Sequence, residues 1–316
     1  MEKSADIFRF KQFSVVNKRS AMKVNTDGVL LGALMTILPG DRYLLDIGTG
    51  TGTIALMAAQ RLAHISVEQG ISSPQTVDAV VASEGHCRAD EQSLTPLSCS
   101  ASRSAMAGHI HEQHETTQPS AIHIDAIDID EPSATEAASN FRNSPWSDIL
   151  HAHQASLEDF SALITESCAH VGSGHEDTLS DCCKGYDLIF SDPPYFDNAL
   201  QAPEERRNNA RHTSTGLSYR EILDFASLHL TARGRVALVL PADTEHDLTR
   251  HARMCGLHLH KITRIRTVPR KAPSRIVMEF SRQLTTSPAD TILTIQDGGQ
   301  YTQEYLGLMH EFYLFA

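Results

Sequence analysis

Two short motifs in the sequence combine residue types that can do chemistry. The first is the run LLDIGTGTG, in which Asp46, Gly48, Gly50 and Gly52 follow the pattern DxGxGxG. Glycines in such a turn let the backbone approach a ligand closely, and the helix that follows offers unpaired N–H groups at its start. A dinucleotide site would need GxGxxG, whereas the sixth position from Gly48 is Thr53. The motif favours another nucleotide-type ligand, with a plain glycine turn of an α/β strand as the alternative.

The second motif is Asp192, Pro193, Pro194 and Tyr195, directly after Ser191 and the apolar run YDLIF. An amino group conjugated to a ring is a poor nucleophile, because its lone pair is drawn into the π system. The Asp192 side chain and the Pro193 carbonyl can each accept one N–H of such an amine and so aim its lone pair. The prolines make the turn rigid, and Tyr195 can stack on a flipped base. The motif predicts transfer to an amino group, and the alternative is a plain Pro-Pro turn.

A third acid is expected where the second strand of the fold ends. An acid that binds ribose hydroxyls usually follows about 20 residues after the glycine turn. The run IDAIDID offers Asp128, with Asp130 as the competing candidate, but Asp128 lies 76 positions after Gly52. An insertion over about 65–120 accounts for the excess spacing. The alternative is that both acids only cap the following helix, because Asp is a good N-cap.

The elements that must position these residues are short apolar runs that alternate with helical patterns, which is typical of strand-helix units around a parallel sheet. We expect a doubly wound α/β fold with a mostly parallel sheet, a short N-terminal β extension from FRFKQFSVV, and a long surface insertion. Residues 1–40 are predicted to form the extension and first helix, and residues 41–316 the main domain, with flexible insertions at 65–120 and 168–184. Strands are predicted over 42–47, 122–129, 186–191, 234–240 and 275–280, and helices over 28–38, 53–62, 131–143, 219–230 and 244–255.

The composition excludes several classes of protein. The chain has 316 residues, 41% hydrophobic and 21% charged, with no run of about 18 apolar residues that would cross a membrane. The start of the chain has no apolar segment typical of secretion, so we expect a cytoplasmic protein. The cysteines show no CxxC spacing, and no zinc-like ligand set accompanies the histidines of the insertion, so neither disulfides nor a metal site are expected. These residues are Cys87, Cys99, Cys168, Cys182, Cys183 and Cys255, and His86, His109, His111 and His114.

The net charge of −12 argues against a nucleic-acid partner, but the charges are unevenly distributed. Residues 65–190 carry four Lys and Arg against 20 Asp and Glu, whereas residues 191–282 carry 15 against 10. The local potential at the ligand decides phosphate affinity, so the acidic bulk does not exclude an RNA substrate.

With both motifs in view, the sequence resembles the class I S-adenosylmethionine-dependent methyltransferases that act on amino groups. DxGxGxG is similar to motif I of that class, and DPPY to its (D/N/S)PPY motif. Nearly the whole chain outside the two insertions resembles the tRNA1(Val) (adenine(37)-N6)-methyltransferase family. This resemblance implies a Rossmann-like catalytic domain over 41–316, S-adenosylmethionine as cofactor, and tRNA as substrate. The segments that carry it are FRFKQF, SAMKVNTDGVLLGA, LLDIGTGTG, IDAIDIDEPSATEAASNFRNSPW, SDPPYF, RHTST, ARGRVALVLP and YTQEYLGLMHEFYLFA.

The same resemblance implies roles for individual residues. Catalysis falls to Asp192, Pro193, Pro194 and Tyr195. Two positions depart from the family: it usually has Asn where Asp192 stands, and it commonly has an Asp for the cofactor's adenine where this chain has Ala155-Ser156-Leu157, so that Ser156 or Glu158 would have to compensate. Thr26 or Asp27 also fits a plain helix N-cap. Cofactor binding falls to Lys23, Thr26, Asp27, Asp46, Gly48, Thr49, Gly50, Gly52, Asp128, Ile129, Ser156 and Leu157.

Two basic clusters are candidates for contact with the tRNA backbone, although basic residues are also common on solvated faces. Both follow the catalytic strand, in the part of such folds where loops gather around the substrate crevice. We expect a monomer without membrane contact. The clusters are Arg206, Arg207 and Arg211, and Lys261, Arg264, Arg266, Arg270 and Lys271, with Arg275 beside them.

Two other functions are compatible with parts of the pattern. A methyltransferase acting on the N5 amide nitrogen of a release-factor glutamine could use the same PPY geometry, but the resemblance implies a helical domain before motif I for which the sequence leaves no room. A non-catalytic RNA-binding protein could keep the fold, but the intact motifs around Asp46 and Asp192 argue against it.

Overall fold

The computed structural model describes residues 6–20, 23–68, 121–170, 185–194 and 217–316. In chain order, the helices are α1 (Thr26–Leu34), α2 (Thr53–Glu68), α3 (Glu131–Arg142), α4 (Leu157–His170), α5 (Tyr219–His229), α6 (Glu245–Met254) and α7 (Gln303–Met309). The strands are β1 (Ile7–Arg9), β2 (Ser14–Val16), β3 (Tyr43–Ile47), β4 (His123–Asp128), β5 (Leu150–Gln154), β6 (Tyr186–Ser191), β7 (Leu230–Pro241), β8 (His258–Arg266), β9 (Arg275–Ser281), β10 (Ala289–Thr294), β11 (Gln296–Asp297) and β12 (Gln300–Tyr301).

Eight of these strands form one sheet, in the order β10-β8-β9-β7-β6-β3-β4-β5. Neighbouring strands from β7 to β5 are parallel, whereas β9 is antiparallel to β7 and to β8. Strands β1 and β2 form a separate antiparallel hairpin. The structure confirms the predicted α/β class, the mostly parallel sheet and the small N-terminal β element.

The sheet is buried on both faces, as the central strand β3 shows. All five residues of β3 are buried. Leu44 belongs to the core on one face, with α1, α2, α3 and α7, and Leu45 and Ile47 belong to the core on the other face, with α4, α5 and α6. Apolar side chains must alternate between two cores in such a strand, which is why β3 is apolar except at Asp46.

Several predicted boundaries differ from the structure. Helix α1 begins at Thr26 and ends at Leu34, whereas the prediction was 28–38. Helix α2 continues to Glu68 and α4 to His170, so the first residues of both expected insertions belong to helices. The rest of both insertions lies outside the described residues. The expected division at residue 40 marks no separate core within the described chain, because α1 packs into the same core as α2 and β3.

Asp125 joins three strands through a buried polar cluster. Its carboxylate accepts hydrogen bonds from His123 Nε2 at 3.1 Å, His153 Nε2 at 2.7 Å and the Tyr186 hydroxyl at 2.9 Å. Burial alone would raise the pKa of Asp125, but the hydrogen bonds and charges of the two histidines hold that pKa below its usual range. The cluster therefore holds a charged group in the sheet by giving it partners from β4, β5 and β6.

Glu136 of α3 anchors the N-terminal extension. It is buried, and its carboxylate accepts the backbone N–H groups of Lys18, Arg19 and Ser20, each at 2.8 Å. Asn140, one turn further on, accepts from the Val16 amide at 2.8 Å and donates to its carbonyl at 3.0 Å. The extension is thus attached to α3 by directed hydrogen bonds as well as by packing.

A second polar anchor fixes the segment between α1 and β3. Buried Glu279 of β9 accepts the Thr36 backbone N–H at 3.0 Å and pairs with Lys261 at 3.1 Å. Arg235 of β7 pairs with Asp41 at 2.6 Å and also donates to the Thr36 carbonyl at 3.1 Å. Helix α1 is therefore held in a fixed position relative to the sheet.

We expect Glu136→Ala to lower the free energy of unfolding by about 3 kcal/mol or more, because three backbone N–H groups lose a charged acceptor. Glu136→Gln keeps one acceptor oxygen, so its loss should be smaller. Thr135→Ala, exposed on the same helix, is the control and should stay within about 0.5 kcal/mol. Urea unfolding measures all three, and equal stability of Glu136→Ala and the control would contradict the anchoring role.

Candidate active site

The candidate site lies where the carboxyl ends of β3, β4 and β6 meet. The chain leaves β3 toward β4 on one side, while β6 pairs with β3 on the other, so a crevice opens between β3 and β6. Ligands of open α/β sheets bind at such a crevice. Buried Ser191 fixes the two strand ends, because its hydroxyl donates to the Ile47 carbonyl at 2.7 Å.

The glycine turn after β3 is built as predicted but uses its amides internally. Gly48, Gly50 and Gly52 have φ values of 72°, 56° and 80°. The amides of Gly48 and Thr49 donate to the Ile127 carbonyl, that of Gly50 to Asp128 Oδ2 at 2.9 Å, and that of Gly52 to the Thr49 carbonyl. These N–H groups of the turn therefore face protein acceptors, an arrangement that does not suit a phosphate-bearing ligand.

Gly52 is required by packing. A Cβ atom on Gly52 would lie 2.4 Å from Cε1 of Phe141 and 3.3 Å from the Ala137 side chain, both of which belong to α3. The third glycine therefore lets α3 pack against the turn, and it does so from a positive φ that L-residues rarely adopt.

Asp46 is the most buried acid of the site, with no exposed surface. Its Oδ2 atom accepts from the Thr49 hydroxyl at 2.7 Å, and its Oδ1 atom has no hydrogen-bond partner within the described chain. Burial raises the pKa of Asp46 to about 7, opposed by the hydrogen bond of Thr49 and the nearby backbone N–H of Ala55 and reinforced by the charges of Asp128 and Asp192.

Asp128 and Asp130 have different roles. Asp128 ends β4 and accepts the backbone N–H groups of Gly50 and Asp130, each at 2.9 Å. Asp130 caps α3, since its side chain accepts the Ser133 N–H at 3.0 Å. Burial raises the pKa of Asp128. The capping alternative thus holds for Asp130 alone, and Asp128 with its exposed neighbour Ile129 faces the carboxyl edge of the sheet.

Asp192 follows β6 and meets a residue that the sequence reasoning missed. Asn25 Nδ2 donates to Asp192 Oδ2 at 3.0 Å. Asn25 is also the N-cap of α1, because its side-chain oxygen accepts the Gly28 N–H at 2.7 Å. Pro193 is buried and Pro194 partly buried, and Tyr195 lies outside the described residues.

Lys23, Thr26 and Asp27 lie at the same edge of the sheet as Asp192, but the side chains of Lys23 and Asp27 already have partners within the protein. Asp27 pairs with Arg275 at 2.7 Å, and the exposed Lys23 donates to the Asn17 carbonyl at 2.7 Å. Thr26 is exposed. Neither Thr26 nor Asp27 is the helix cap, which is Asn25. An Asn followed three residues later by Gly28 at a helix start is a signal that could have identified it.

Ser156 and Leu157 lie at the junction of β5 and α4. The Ser156 hydroxyl donates to Asp159 Oδ2 at 2.6 Å and accepts the Asp159 backbone N–H at 3.0 Å. The donor and one of the two acceptor positions of this hydroxyl are therefore used at the start of α4. Ser156 therefore has a local structural role at the start of α4, and its contact with an adenine stays a prediction.

The predicted basic cluster divides into paired and exposed residues. Lys261 pairs with Glu279, Arg264 with Glu245 and Asp290, and Arg266 donates to Thr294 Oγ1 at 2.8 Å, so these three residues already have partners within the protein. Arg270 and Lys271 are exposed in the turn between β8 and β9. This turn lies at the carboxyl edge, because Arg275 after it pairs with Pro241 at the end of β7. Arg206, Arg207 and Arg211 lie outside the described residues.

One group in the described chain has side chains that could hold a metal ion. Asp224 of α5 lies beside His251 and Cys255 at the end of α6, with their ligand atoms within 4.8 Å of one another. Asp224 Oδ1 already accepts from His251 at 2.9 Å and from the Cys255 thiol at 3.1 Å. Burial, with the hydrogen bond to Asp224, raises the pKa of Cys255 to about 11, so the thiol stays protonated at neutral pH. The histidines of the insertion lie outside the described residues.

Among the described helices, none combines the length and apolar character needed to cross a membrane.

The sheet order, with one reversed strand next to β7, is that of the class I methyltransferase fold. A crystal structure of a predicted O-methyltransferase from Agrobacterium tumefaciens shares it, with a TM-score of 0.51, 13% identity, and coverage of 90% of this chain and 96% of that chain. No family model matches the chain. Two curated relatives named tRNA1(Val) (adenine(37)-N6)-methyltransferase, however, match almost the whole chain. The one from Flavobacterium psychrophilum is 32% identical, covering 98% of this chain and 99% of its own length, and the one from Mannheimia succiniciproducens is 30% identical, covering 97% and 94%. The chain belongs to the tRNA1(Val) (adenine(37)-N6)-methyltransferase family.

We expect Gly52→Ala to lower the free energy of unfolding by about 3 kcal/mol or more, because it adds a clash with Phe141 to the cost of a positive φ. Gly256→Ala is the matched control: its φ is 72° and a Cβ there meets nothing within 4 Å. The control should lose about 1–2 kcal/mol. Chemical unfolding compares the two, and equal losses would refute the packing role of Gly52.

Asp46 also predicts a pH dependence of stability. Its folded pKa of about 7 lies above the ordinary value of 3.8, so the folded chain holds one extra proton between these values and loses stability as pH rises through that window. Asp46→Asn does not titrate, so from pH 4 to pH 7 its free energy of unfolding relative to that of the wild type should shift in favour of the variant by about 2–4 kcal/mol. Urea unfolding at several pH values measures the difference. A constant difference between the two proteins would contradict the raised pKa.

Proposed function

We propose that this protein transfers a methyl group from S-adenosylmethionine to the exocyclic N6 of an adenine in tRNA, with adenine 37 of tRNA1(Val) as the target. The observation that carries the proposal is that Asp192 of the DPPY motif lies at the same edge of the sheet as Asp46 of the glycine motif, in a chain of this family. A group that binds near Asp46 is then next to the residue that would hold the amine.

The residues present fit this cofactor. When bound, S-adenosylmethionine would supply a methyl group on a positively charged sulfur. Asp46, Asp128 and Asp192 concentrate negative charge at the crevice, and Asp46 Oδ1 is a buried acceptor without a partner in the described residues. A cation offsets that charge, and a cofactor without phosphates suits a turn whose amides are already paired.

Asp128 is the proposed ribose ligand, with exposed Ile129 beside it to contact the adenine ring. Asp130 is occupied as a helix cap, which favours Asp128 over it. The proposed contribution of Gly48, Gly50 and Thr49 is to shape the wall of the crevice.

Asp192 and Pro193 are the proposed catalytic residues. The Asp192 carboxylate and the Pro193 carbonyl accept the two N–H groups of the adenine amine, which turns its lone pair away from the ring. Asp192 is also placed to receive the proton that the nitrogen loses after transfer. Catalysis by such residues is mainly orientation and electrostatic stabilisation, and Tyr195 would hold the base by stacking.

Among the described residues, the exposed Arg270 and Lys271 are the proposed contacts for the RNA backbone. The turn that carries this pair is followed by Arg275, which forms an ion pair with Asp27. Asp27 lies two residues after Asn25, and the Asn25 side chain donates to Asp192. The turn is therefore close to Asp192. Arg206, Arg207 and Arg211 remain proposed contacts from the sequence, as do a monomeric state, the absence of a metal and a cytoplasmic location.

The function is tested by incubating the protein with total tRNA and labelled S-adenosylmethionine, then mapping the modified nucleoside by mass spectrometry. We expect N6-methyladenosine at position 37 of tRNA1(Val), and loss of the product with Asp192→Ala. Cofactor binding measured by calorimetry distinguishes a methyltransferase from a non-catalytic RNA-binding protein, because the latter would bind no cofactor. Methylation of a release-factor glutamine in a parallel reaction, with none on tRNA, would overturn the proposal.

The double variant Arg270→Ala/Lys271→Ala should weaken tRNA binding by about tenfold or more and reduce the salt dependence of log Kd by roughly 1–2. The control is Arg233→Ala/Arg282→Ala, which removes the same charge at the opposite edge of the sheet. Fluorescence titration with tRNA at several salt concentrations measures both variants. If the two variants weaken binding equally, the turn is not a specific contact.

A further inference from the structure

We propose that Asn140 of α3 is a positioning residue for the cofactor: its amide holds the glycine turn in one conformation and joins that turn to the N-terminal hairpin. The inference rests on the proposed function and adds to it a residue outside both motifs. It concerns one buried side chain that binds two separate segments of backbone.

The Asn140 amide places each of its hydrogen-bonding groups on a defined backbone atom. The residue is 1% exposed. Its Oδ1 atom accepts the Val16 N–H at 2.8 Å, and its Nδ2 group donates to the Val16 carbonyl at 3.0 Å and to the Thr51 carbonyl at 2.8 Å. A backbone N–H only donates and a carbonyl only accepts, so these contacts allow one orientation of the amide. The two N–H groups of Nδ2 match the two carbonyls.

The contact with Thr51 fixes a part of the turn that would otherwise have great conformational freedom. Thr51 lies between Gly50 and Gly52, whose φ values are 56° and 80°. A glycine adopts positive and negative φ about equally readily, so a peptide unit beside it can rotate unless its polar groups are bound. In the unit that joins Thr51 to Gly52, the carbonyl accepts from Asn140. The N–H of the same unit donates to the Thr49 carbonyl at 2.9 Å. Asn140 therefore supplies the bond from outside the turn that opposes this rotation.

The fixed peptide unit is next to the proposed ribose ligand. Gly50, one residue before Thr51, donates its N–H to Asp128 Oδ2 at 2.9 Å. A rotation at Thr51 would move Gly50 and take this donor away from Asp128. Asn140 therefore acts on the cofactor site through Thr51, Gly50 and Asp128, in that order.

The same side chain connects the turn to the N-terminal hairpin. Val16 belongs to β2 and pairs with Ile7 of β1. The Asn140 amide binds both the N–H and the carbonyl of Val16, as a residue of a neighbouring strand would. Val15, beside it, is fully buried in the core that also contains residues of α1, α2 and α3. The hairpin is thus a fixed support against which Asn140 holds the turn, and cofactor affinity should depend on it.

The test compares Asn140→Leu with a control variant, Leu248→Ala. Leucine has the same branched arrangement of side-chain atoms as asparagine but no polar group. Leu248 is fully buried in the core on the other face of the sheet, so its truncation lowers stability away from the turn. We expect Asn140→Leu to raise the Kd for S-adenosylmethionine, measured by calorimetry, by about tenfold or more, and Leu248→Ala to change it by less than about twofold. Both are measured at a temperature at which circular dichroism shows them folded.

The kinetics should show the same separation. At saturating S-adenosylmethionine, we expect kcat of Asn140→Leu to stay within about threefold of the wild type, because Asn140 supports the cofactor site while Asp192 and Pro193 would hold the amine. A wild-type Kd for Asn140→Leu, or an equal rise in Leu248→Ala, would overturn the inference.

Val16→Pro tests the link to the hairpin. Proline has no N–H, so this variant removes one bond to Asn140 from the hairpin side. We expect it to raise the Kd for S-adenosylmethionine by about threefold or more in the wild-type background, and by less than about 1.5-fold in the Asn140→Leu background, where the link is already lost. Equal effects in the two backgrounds would overturn the inference. If Asn140→Leu does not fold, Val16→Pro alone decides, and an unchanged Kd would overturn it.

Hydrogen exchange gives a readout that depends on neither binding nor activity. Without cofactor, we expect the peptide that spans residues 46–53 to exchange faster in Asn140→Leu than in the wild type, and at the wild-type rate in Leu248→Ala. A wild-type exchange rate in Asn140→Leu would overturn the inference. A wild-type protein that binds S-adenosylmethionine but methylates no tRNA would instead refute the proposed function, so the two failures are distinguishable.

Discussion

The burial of the Asp46 carboxylate is the constraint on which the arrangement of the active edge depends. Taking a carboxylate out of water costs several kcal/mol unless its partners compensate, and here Thr49 and the Ala55 amide compensate only in part. The glycine turn lies around the Asp46 carboxylate. The Thr49 hydroxyl donates to Asp46, and the Gly50 backbone N–H donates to Asp128. Asp128 and Asp192 add negative charge to the same crevice. A positively charged ligand would therefore stabilise an arrangement that the protein alone holds at a cost.

A second feature of the fold is that buried polar groups, as well as apolar packing, place the N-terminal segment. Glu136 and Asn140 of α3 bind the backbone around residues 16–20, and Glu279 and Arg235 bind the segment after α1. Such groups are costly to bury, and each has directed partners that define one position of the chain, although Glu279 Oε2 and Arg235 Nε have no hydrogen-bond partner among the described residues. Because α1 is held between these two anchors, its cap Asn25 can meet Asp192 in a defined geometry.

The sequence was sufficient for the parts of the fold that are dominated by apolar runs and by glycine and proline. Strands β3, β4 and β6 and the turns after β3 and β6 were predicted within a residue or two, because their buried runs end in motifs with strong local geometry. The missed elements lack that pattern. Strand β5 is LHAHQ, in which His153 donates to Asp125 and His151 stacks on His123, so neither position carries the apolar residue that marks a strand.

The site was predicted where the chemistry is local and missed where it depends on the fold. Nothing in the sequence near Asp192 indicates that Asn25, 167 positions earlier, would donate to it. The sequence also does not show that basic residues on β8 have acidic partners, because these come from other elements: Glu279 from β9, Glu245 from α6 and Asp290 from β10. The two hydrogen bonds between Ser156 and Asp159 at the start of α4 likewise depend on the local fold and could not be predicted from the residue types alone.

These pairings change how the charge of the chain bears on an RNA partner. An excess of basic residues over 191–282 does not by itself create a positive surface, since several of them neutralise acids inside the fold. In the described chain, what remains at the carboxyl edge is the short turn with Arg270 and Lys271. Arg275, which follows that turn, forms an ion pair with Asp27. Asn25 lies two residues before Asp27, and its side chain donates a hydrogen bond to Asp192. The N-terminus of α1 thus connects the surface that would contact the RNA backbone to the carboxylate that would hold its base.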